Sequence, residues 1–383
     1  MEPFTDKTSP NQARLFNVVC IALGLTLFAM WAWPVRKRAW LGENDFLQLY
    51  AGARLVGTPE LYDIKAHERI HMEVTEAHTY YPSIYFTRLP YYALLLSPLA
   101  RLPYHTAYAV YQGFSFLLVA AFLVLYTRMW PETVVLAALS VPLLINFVNG
   151  QDVGISAALV GFALMLSRNG RDFAAGLVLS LCSIKFHLFI LVPLVLILHK
   201  RWRMLRGGLV GGAALWGLSV AAGGFDWVRG FLSMATYPGI HLSPERMTTF
   251  RNTTFFLSGR ENLPMEMALN VLGALLVAYL AWKVRRFEVA FGLALTGGLL
   301  VSHHAYSQDL LLLLVAAVLF AIGGASKALL GTTVVVGLPP TAFMLFFARP
   351  YSTLVPLMIL AVLLVALVVE TRGGTEGSGR FIL

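Results

Sequence analysis

A short acidic segment decides how the rest of the chain is organised, and over residues 41–50 it reads Leu-Gly-Glu-Asn-Asp-Phe-Leu-Gln-Leu-Tyr. It follows an apolar run and a basic cluster at residues 36–38. From Phe46 onward the apolar residues recur at helical spacing, and glycine and proline at 57 and 59 end the segment. The pattern predicts a helix of about three turns that Asp45 caps and that lies along the membrane surface.

The composition places the chain in a membrane. Of its 383 residues, 58% are hydrophobic and only 13% are charged. The first apolar run, about residues 15–34, is as long as a bilayer is thick and lacks a small-residue cleavage site, so we expect a retained span. The preference for cytoplasmic Lys and Arg explains most of the net charge of +9, so no nucleic-acid partner is expected.

Charged residues and glycine or proline breaks divide the chain into apolar segments, which predict an all-α, polytopic transmembrane bundle of about twelve helices. Several segments are shorter than the roughly 20 residues that a full span needs, so we expect tilted, broken or half-length helices that line a cavity. The segments lie near residues 15–34, 105–127, 132–148, 153–167, 172–184, 187–199, 207–223, 266–282, 287–301, 308–322, 327–347 and 352–370.

The distribution of basic loops predicts the topology. With the N-terminus inside, every short basic loop falls on the cytoplasmic side, provided that two conditions hold. Residues 89–101 must form an interfacial element instead of a span. Residues 173–199 must form two short helices that meet at Lys185-Phe186-His187.

The opposite, extracytoplasmic face then carries two long loops of a single domain that covers residues 1–383. These are the first outer loop, about residues 35–104, with interfacial helices, and the second outer loop, about residues 224–265. An ionisable group in a membrane costs a few kcal/mol, so polar residues in the outer turns are functional candidates. For Lys185 the alternative is a lysine that extends its ammonium group to the interface.

Three further groups on this face have structural alternatives. The turn that contains Asn149 and Gln151 can satisfy backbone groups between two helices. His303 and His304 can be an interfacial pair at a helix end. The basic residues Arg36, Lys37 and Arg38 can be a solvated flank, but their place beside the acidic segment keeps an anion-binding function open.

One motif resembles a zinc site. Residues 67–71 read His-Glu-Arg-Ile-His, which is formally the His-Glu-x-x-His pattern of zinc proteases. Such a site needs a third ligand, and only Glu73, Glu76 and His78 lie nearby in the same charged segment. We therefore expect no metal site and no cofactor, although a contribution from a divalent cation stays open.

The order of these motifs resembles the C-type glycosyltransferases, and in particular the bacterial branch of polyprenyl-phosphate-mannose-dependent α-1,2-mannosyltransferases. The resemblance covers most of the chain, and Ser83 and Phe186 depart from it by replacing the usual prolines. It rests on residues 44–55 followed by Leu61-Tyr62-Asp63, on Tyr81-Pro82-Ser83 and Leu96-Ser97-Pro98-Leu99, on Asn149-Gly150-Gln151, and on Ala175-Gly176-Leu177 leading to Ile184-Lys185.

The resemblance implies a GT-C-like fold and a catalytic aspartate in the first outer loop, where Asp45 matches. The chemistry agrees, because transfer needs a base for the acceptor hydroxyl and cations for the departing phosphate. The candidate phosphate-binding residues are Arg36, Lys37, Arg38, Lys185, Arg246 and Arg251. The candidate substrate-binding residues are Glu43, Asn44, Gln151, His187, His303 and His304, and Glu43 can also share the role of base.

The predicted function is transfer of a sugar, mannose or a similar one, from a polyprenyl-phosphate-linked donor to a hydroxyl of a glycan or glycolipid. We expect inversion, an active site on the extracytoplasmic face of a bacterial inner membrane, and contact with membrane lipid. The alternative is a transporter or flippase of the cell envelope, which would not need Asp45. A transporter often has two related halves, and the first and second six segments show no convincing repeat.

Overall fold

The computed structural model describes residues 10–82, 84–237, 243–346 and 350–371. Within these ranges the regular elements are all helices, and no strand is present. Ser83, one of the residues that carries the family resemblance, lies outside the described residues. The all-α prediction is confirmed for the part of the chain that the structure describes.

The helices alternate between long apolar rods and short pieces. In the first half they are α1 (Pro10–Ala32), α2 (Arg36–Leu41), α3 (Phe46–Leu55), α4 (Ile64–Val74), α5 (Pro90–Leu96), α6 (Tyr104–Thr127), α7 (Thr133–Leu139), α8 (Val141–Val148), α9 (Val153–Arg168), α10 (Asp172–Ser180) and α11 (Val192–Leu198). In the second half they are α12 (Trp202–Gly223), α13 (Trp227–Ala235), α14 (Phe250–Ser258), α15 (Leu263–Lys283), α16 (Phe287–Val301), α17 (Leu311–Ile322), α18 (Lys327–Gly337), α19 (Pro339–Phe346) and α20 (Leu354–Val369). Short 3-10 helices connect them at Pro59–Tyr62, Ser97–Arg101, Leu181–Phe189, Pro244–Arg246, Ser307–Leu310 and Tyr351–Thr353.

Five of the described helices are long and apolar enough to cross a membrane. They are α6, the segment Asp172–Phe189, α12, α15 and the segment Tyr351–Val369, and the pair α18 and α19, bent by 41°, would make a sixth. These helices indicate an integral membrane protein, but the predicted twelve spans are not confirmed. Helices α16 and α17 are shorter and buried almost throughout, so other helices enclose them.

The long helices leave much of their apolar surface uncovered by protein. The apolar windows of α6, α12 and α15 are only 28%, 22% and 22% buried. Exposed side chains such as Leu117, Leu209 and Leu272 lie on these helices. A lipid bilayer is the environment that suits such surfaces.

The helices are short or broken at both places on which the predicted topology depends, and the topology itself stays a prediction. Within Leu181–Phe189 the backbone of Lys185 leaves the helical region at φ −126° and ψ 53°, so the helix breaks at the predicted residue. Helix α5 has only seven residues and the following 3-10 helix has five. Residues 89–101 are therefore far too short to span a bilayer as one helix.

Helix α3 forms as predicted but does not lie on a surface. Every residue of α3 except Arg54 is buried, because aromatic residues of α6 surround its first turn. The ring of Phe46 lies 5.7, 5.3 and 5.0 Å from those of Tyr104, Tyr108 and Tyr111. Helix α3 is therefore the buried core of the first outer loop, and its direction relative to the membrane stays a prediction.

The start of α3 also differs in one detail from the prediction. Asp45 occupies the N-cap position, but its side chain makes no capping hydrogen bond. Instead Asn44 Oδ1 accepts a hydrogen bond of 3.0 Å from the backbone N–H of Phe46. Asn44 thus satisfies the helix end, which leaves the carboxylate of Asp45 available for other partners.

Candidate functional site

Two loops meet at Asp45 and fix its backbone. The Asp45 N–H donates to the carbonyl of Asn149 at 3.1 Å, and Asn44 Nδ2 donates to the carbonyl of Val148 at 2.9 Å. Gly150 lies between them with φ +60°, and a β-carbon there would lie 2.7 Å from Asn44 Oδ1. Glycine is therefore required at the point where the first outer loop touches the turn after α8.

The side chain of Asp45 is linked to Lys185 through one amide. Gln151 Nε2 donates a hydrogen bond to Asp45 Oδ2, and Gln151 Oε1 accepts one of 3.1 Å from Lys185 Nζ. The ammonium group can only donate, so it fixes which end of the amide faces Asp45. The structure thus brings together Asp45, Gln151 and Lys185, which the sequence analysis selected from three separate segments.

Lys185 is buried and has two carboxylate partners. Its Nζ lies 2.7 Å from Asp309 Oδ1 and 3.6 Å from Asp152 Oδ1. Asp152 also forms a two-bond ion pair with Arg88, at 2.8 Å from Nε and 3.3 Å from Nη2. The three donors of the ammonium group are therefore directed at Gln151, Asp309 and Asp152.

Sequence reasoning missed Arg88, Asp152 and Asp309 as site residues. Asp152 directly follows Gln151, and Asp309 ends the outer turn that begins at His303. The cost of charges in apolar surroundings, which selected Lys185, applied equally to these residues. What the sequence did not contain was their pairing, since the partners are 64 and 124 residues apart.

The two carboxyl groups next to Gln151 and Lys185 have opposite electrostatic environments. Burial raises the pKa of Asp45 above its ordinary value, and the hydrogen bond from Gln151 and the charge of Lys185 offset this only in part. Burial would also raise the pKa of Asp152, but Arg88 and Lys185 lower it overall. Asp45 is thus the better proton acceptor of the pair, and Asp152 is the permanent counterion.

A cavity of about 220 Å³ opens beside Asp45. Arg38 from α2 borders the same cavity. Its Nε donates to the carbonyl of Glu43 at 3.1 Å, and its guanidinium lies 5.0 Å from the ring centre of Tyr81. Its other N–H groups have no partner among the described residues. The rest of the lining is mixed, with apolar Val35, Ala39, Ile84 and Val148 and polar Glu43, Asn44 and Asn149.

The other two members of the basic cluster lie away from this cavity. Arg36 donates to the carbonyl of Trp33 at 2.6 Å and lies over the Trp33 ring. Lys37 pairs with Glu76 at 3.2 Å, and both side chains are exposed. Arg38 is thus the member of the cluster that borders the Asp45 cavity.

Glu43 is buried and engaged through both carboxylate oxygens. Oε1 accepts a hydrogen bond of 3.0 Å from the backbone N–H of Glu76, and Oε2 accepts one of 2.9 Å from the hydroxyl of Tyr81. These bonds hold the segment after α4 against Glu43 at the cavity. The arrangement favours a structural role for Glu43 and leaves Asp45 better placed as a base.

A second charged cluster holds Arg251 and His303. Arg251 Nη2 lies 2.7 Å from Glu261 Oε1, and its Nη1 donates to His303 Nε2 at 2.8 Å. His303 Nδ1 in turn lies 2.7 Å from Glu266 Oε1. This cluster joins α14, α15 and the turn after α16. Arg246 is exposed in the 3-10 helix Pro244–Arg246 and belongs to neither cluster.

The remaining candidate histidines lie next to each other. The rings of His187 and His304 are 6.0 Å apart, and His304 packs edge-on against Tyr306 at 4.8 Å. Burial, with the nearby charges of Lys185 and Arg88, lowers the pKa of His304 to about 3. His304 is therefore neutral at physiological pH.

The His-Glu-x-x-His motif lies on α4, with both histidines buried. His67 Nε2 donates to the carbonyl of Leu61 at 2.9 Å, and the His71 ring stacks on Tyr85 at 6.3 Å. Burial lowers the pKa of His71 to about 4. Within the described ranges no group of three or more His, Cys, Asp and Glu side chains is placed to hold a metal ion.

A family model for glycosyltransferase family 87 matches residues 86–303, which is more than half of the chain. The fold and the match thus define a membrane-embedded glycosyltransferase. The protein belongs to glycosyltransferase family 87. No curated protein and no solved structure matches the chain. The matched range contains Arg88, Gln151, Asp152 and Lys185, whereas Asp45 and Asp309 lie on either side of it.

Proposed function

We propose that the protein transfers a sugar from a polyprenyl-phosphate-linked donor to a hydroxyl of a glycan or glycolipid, with Asp45 as the general base. The observation that carries the proposal is the cavity that Asp45 shares with Arg38. A carboxylate and a guanidinium group on one cavity meet the two needs of the reaction, a proton acceptor and a phosphate ligand. Membership in a glycosyltransferase family supports the reaction class.

The position of the cavity supports a lipid-linked donor. Val35 lies on the cavity wall, at the junction of α1 and α2. Trp33 and Trp40 at this junction are 67% and 84% exposed, which is typical of aromatic residues at a membrane interface. A donor phosphate bound at Arg38 can therefore extend its polyprenyl chain directly into the bilayer.

The proposed reaction is a single displacement. The acceptor hydroxyl gives its proton to Asp45 while its oxygen bonds to the anomeric carbon of the sugar. The bond from that carbon to the phosphate oxygen breaks on the opposite side, and polyprenyl phosphate leaves with the electron pair. The product has an inverted anomeric centre, and Arg38 stabilises the charge that develops on the phosphate.

Gln151 and Lys185 orient the base in this account. Gln151 occupies one oxygen of Asp45, so the other oxygen is directed to the acceptor. The raised pKa of Asp45 strengthens it as a proton acceptor. Lys185 Nζ is engaged by Gln151, Asp309 and Asp152. We therefore assign Lys185 two roles: it orients Gln151, and its charge adds to the positive potential at the donor phosphate.

The other predicted site residues have supporting roles in the proposal. Arg36, Lys37 and Arg246 are exposed and add positive potential that attracts an anionic donor. Arg251 and His303 hold the second outer loop against the turn after α16. His187 and the neutral His304 contact the acceptor, and the resemblance to mannosyltransferases favours mannose or a similar sugar.

The phosphate site can be tested with two arginines of the same cluster. With radiolabelled polyprenyl-phosphate mannose, Arg38→Ala should weaken donor binding by about ten- to a hundredfold, as expected for one charge-assisted hydrogen bond. Arg36→Ala is the matched control and should leave binding within about threefold. Equal losses in both variants would place the phosphate elsewhere.

The proposed extracytoplasmic site can be tested by labelling single cysteines, with Cys20 and Cys182 replaced by alanine. We expect a membrane-impermeant maleimide, added to intact cells, to label a cysteine that replaces Lys65 but not one that replaces Arg203. Both positions are exposed in the structure, so accessibility to the reagent depends on the side of the membrane. Labelling at Arg203 from outside would contradict the proposed orientation.

A further inference from the structure

A groove of about 690 Å³ lies between the first outer loop and the connection from α12 to α13. Its two sides are joined where the Gly57 N–H donates to the carbonyl of Ala222 at 2.9 Å. A depression of about 530 Å³ continues along α13 past Arg229, Leu232 and Thr236. The groove and this depression together are called the α13 groove below.

Two charged side chains of the α13 groove are available to a ligand, while a third, Asp63, accepts a hydrogen bond of 2.8 Å from the Ala66 N–H. Asp226 and Arg229 are exposed, and neither side chain has an ion-pair partner among the described residues. The groove thus presents a carboxylate and a guanidinium group to whatever enters it.

Aromatic side chains lie beside these charges. Phe225 at the rim is 91% exposed, and Tyr62 forms part of the wall. Trp227 also lines the groove and is only 5% exposed. Its buried indole N–H has no hydrogen-bond partner within the described part of the chain. An unpaired buried donor of this kind is uncommon in proteins.

We propose that the α13 groove binds the glycan chain of the acceptor, at a distance from the sugar residue that reacts. This inference rests on the proposed transferase function. A hydroxyl-rich chain suits the lining, because carboxylate and guanidinium groups form hydrogen bonds with hydroxyls and aromatic faces cover the apolar faces of sugar rings. A purely apolar lipid chain would leave Asp226 and Arg229 without partners in the groove.

The groove is connected to the catalytic network but lies away from Asp45. The Tyr62 hydroxyl donates to the carbonyl of Arg88 at 2.8 Å, and Arg88 pairs with Asp152. Asp45 precedes the first residue of α3, and Gly57 follows the last turn. A ten-residue helix is about 15 Å long, so an acceptor that fills the groove and reaches Asp45 must be an extended oligosaccharide.

The test compares short and long acceptors. Glycans released from the cell envelope of the source organism are separated by size into monosaccharide and oligosaccharide fractions. Each fraction is offered with radiolabelled polyprenyl-phosphate mannose to the full-length wild-type protein, to Arg229→Ala and to Asp226→Asn. Arg260→Ala is the matched control, because Arg260 is exposed on the second outer loop outside the groove.

We expect the wild type to prefer the oligosaccharides. Arg229→Ala and Asp226→Asn should each raise the KM for the oligosaccharides about three- to tenfold, with kcat, the donor KM and transfer to the monosaccharide fraction unchanged. Arg260→Ala should match the wild type. Transfer that shows no preference for length, or equal KM changes with both fractions, would overturn this inference while leaving the transferase function intact. A wild type that transfers neither to these fractions nor to intact glycolipids of the envelope would count against the proposed function and the groove together.

Discussion

Replacing Lys185 with methionine removes the cation that joins the three acidic groups of the site. Methionine has a similar length, so packing is largely kept while the ammonium group is lost. The change deprives Asp309 Oδ1 of its partner at 2.7 Å and Gln151 Oε1 of its partner at 3.1 Å. Asp152 keeps its ion pair with Arg88, so the main uncompensated charge is Asp309.

The expected loss of stability follows from this one uncompensated buried charge. Removing one partner of a buried ion pair destabilises a protein by about 3–5 kcal/mol. At roughly 2 °C per kcal/mol for a chain of this size, the melting temperature should be lower by about 6–10 °C. Lys327→Met is the control, because Lys327 is exposed and a surface change should stay within about 0.5 kcal/mol.

The same variant should change the pH dependence of transfer. Lys185 lowers the pKa of Asp45, against the larger effect of burial. Without Lys185 that pKa rises further, so the acid limb of the activity profile should move to higher pH. Lys185→Arg keeps the charge and should show a smaller displacement of the limb.

Thermal unfolding in detergent and pH profiles of transfer measure these two effects separately. A double variant, Lys185→Met with Asp309→Leu, should be less destabilised than the sum of the two single changes, because no charge is then left unpaired. Additive losses, or a melting temperature of Lys185→Met equal to that of the wild type, would refute the role given to this network.

Three further predictions concern neighbouring residues. Asp45→Asn should raise the melting temperature at neutral pH, because a carboxyl group with a raised pKa destabilises the fold when it is ionised. This increase in melting temperature should vanish when the pH falls below the range in which an ordinary aspartate titrates. Asp152→Asn should do the opposite and lower the melting temperature at neutral pH, since its pKa is lowered, with a smaller loss in acid. Gly150→Ala should reduce both stability and transfer, because the new β-carbon would collide with Asn44. Gly170→Ala is the control: Gly170 also has a positive φ but has open space around it, so this change should cost only backbone strain of about 1 kcal/mol. Equal effects of the two variants on transfer would contradict the contact between the loops.

The long helices and their breaks were predictable because local sequence determines them. Apolar runs longer than a bilayer require helices, and the polar residues at Lys185 mark the point where the backbone leaves the helical region. The meeting of Asp45, Gln151 and Lys185 was also within reach. Each is a polar residue that the predicted topology places at the same membrane face, and such residues are costly unless they pair.

The burial of α3 and the ion-pair pattern were not predictable in the same way. Periodicity finds one apolar face of α3, but α3 is buried almost throughout and also packs against helices further along the chain, such as α5 and α6. A count of charges likewise cannot say that Arg88 pairs with Asp152 while Asp45 bonds to an amide. These contacts depend on how separate helices pack, which local pattern does not encode.

In the proposed mechanism Asp45 removes the proton from the acceptor hydroxyl, and the rate of transfer by Asp45→Asn is the decisive measurement. The asparagine keeps the shape and the contact region of Gln151 but cannot accept a proton. With radiolabelled polyprenyl-phosphate mannose, kcat should fall by about 10² to 10⁴, while donor binding stays near that of the wild type because Arg38 is unchanged. Glu73→Gln, an exposed carboxylate of the same loop, should keep full activity. Wild-type kcat in folded, membrane-inserted Asp45→Asn would contradict the account.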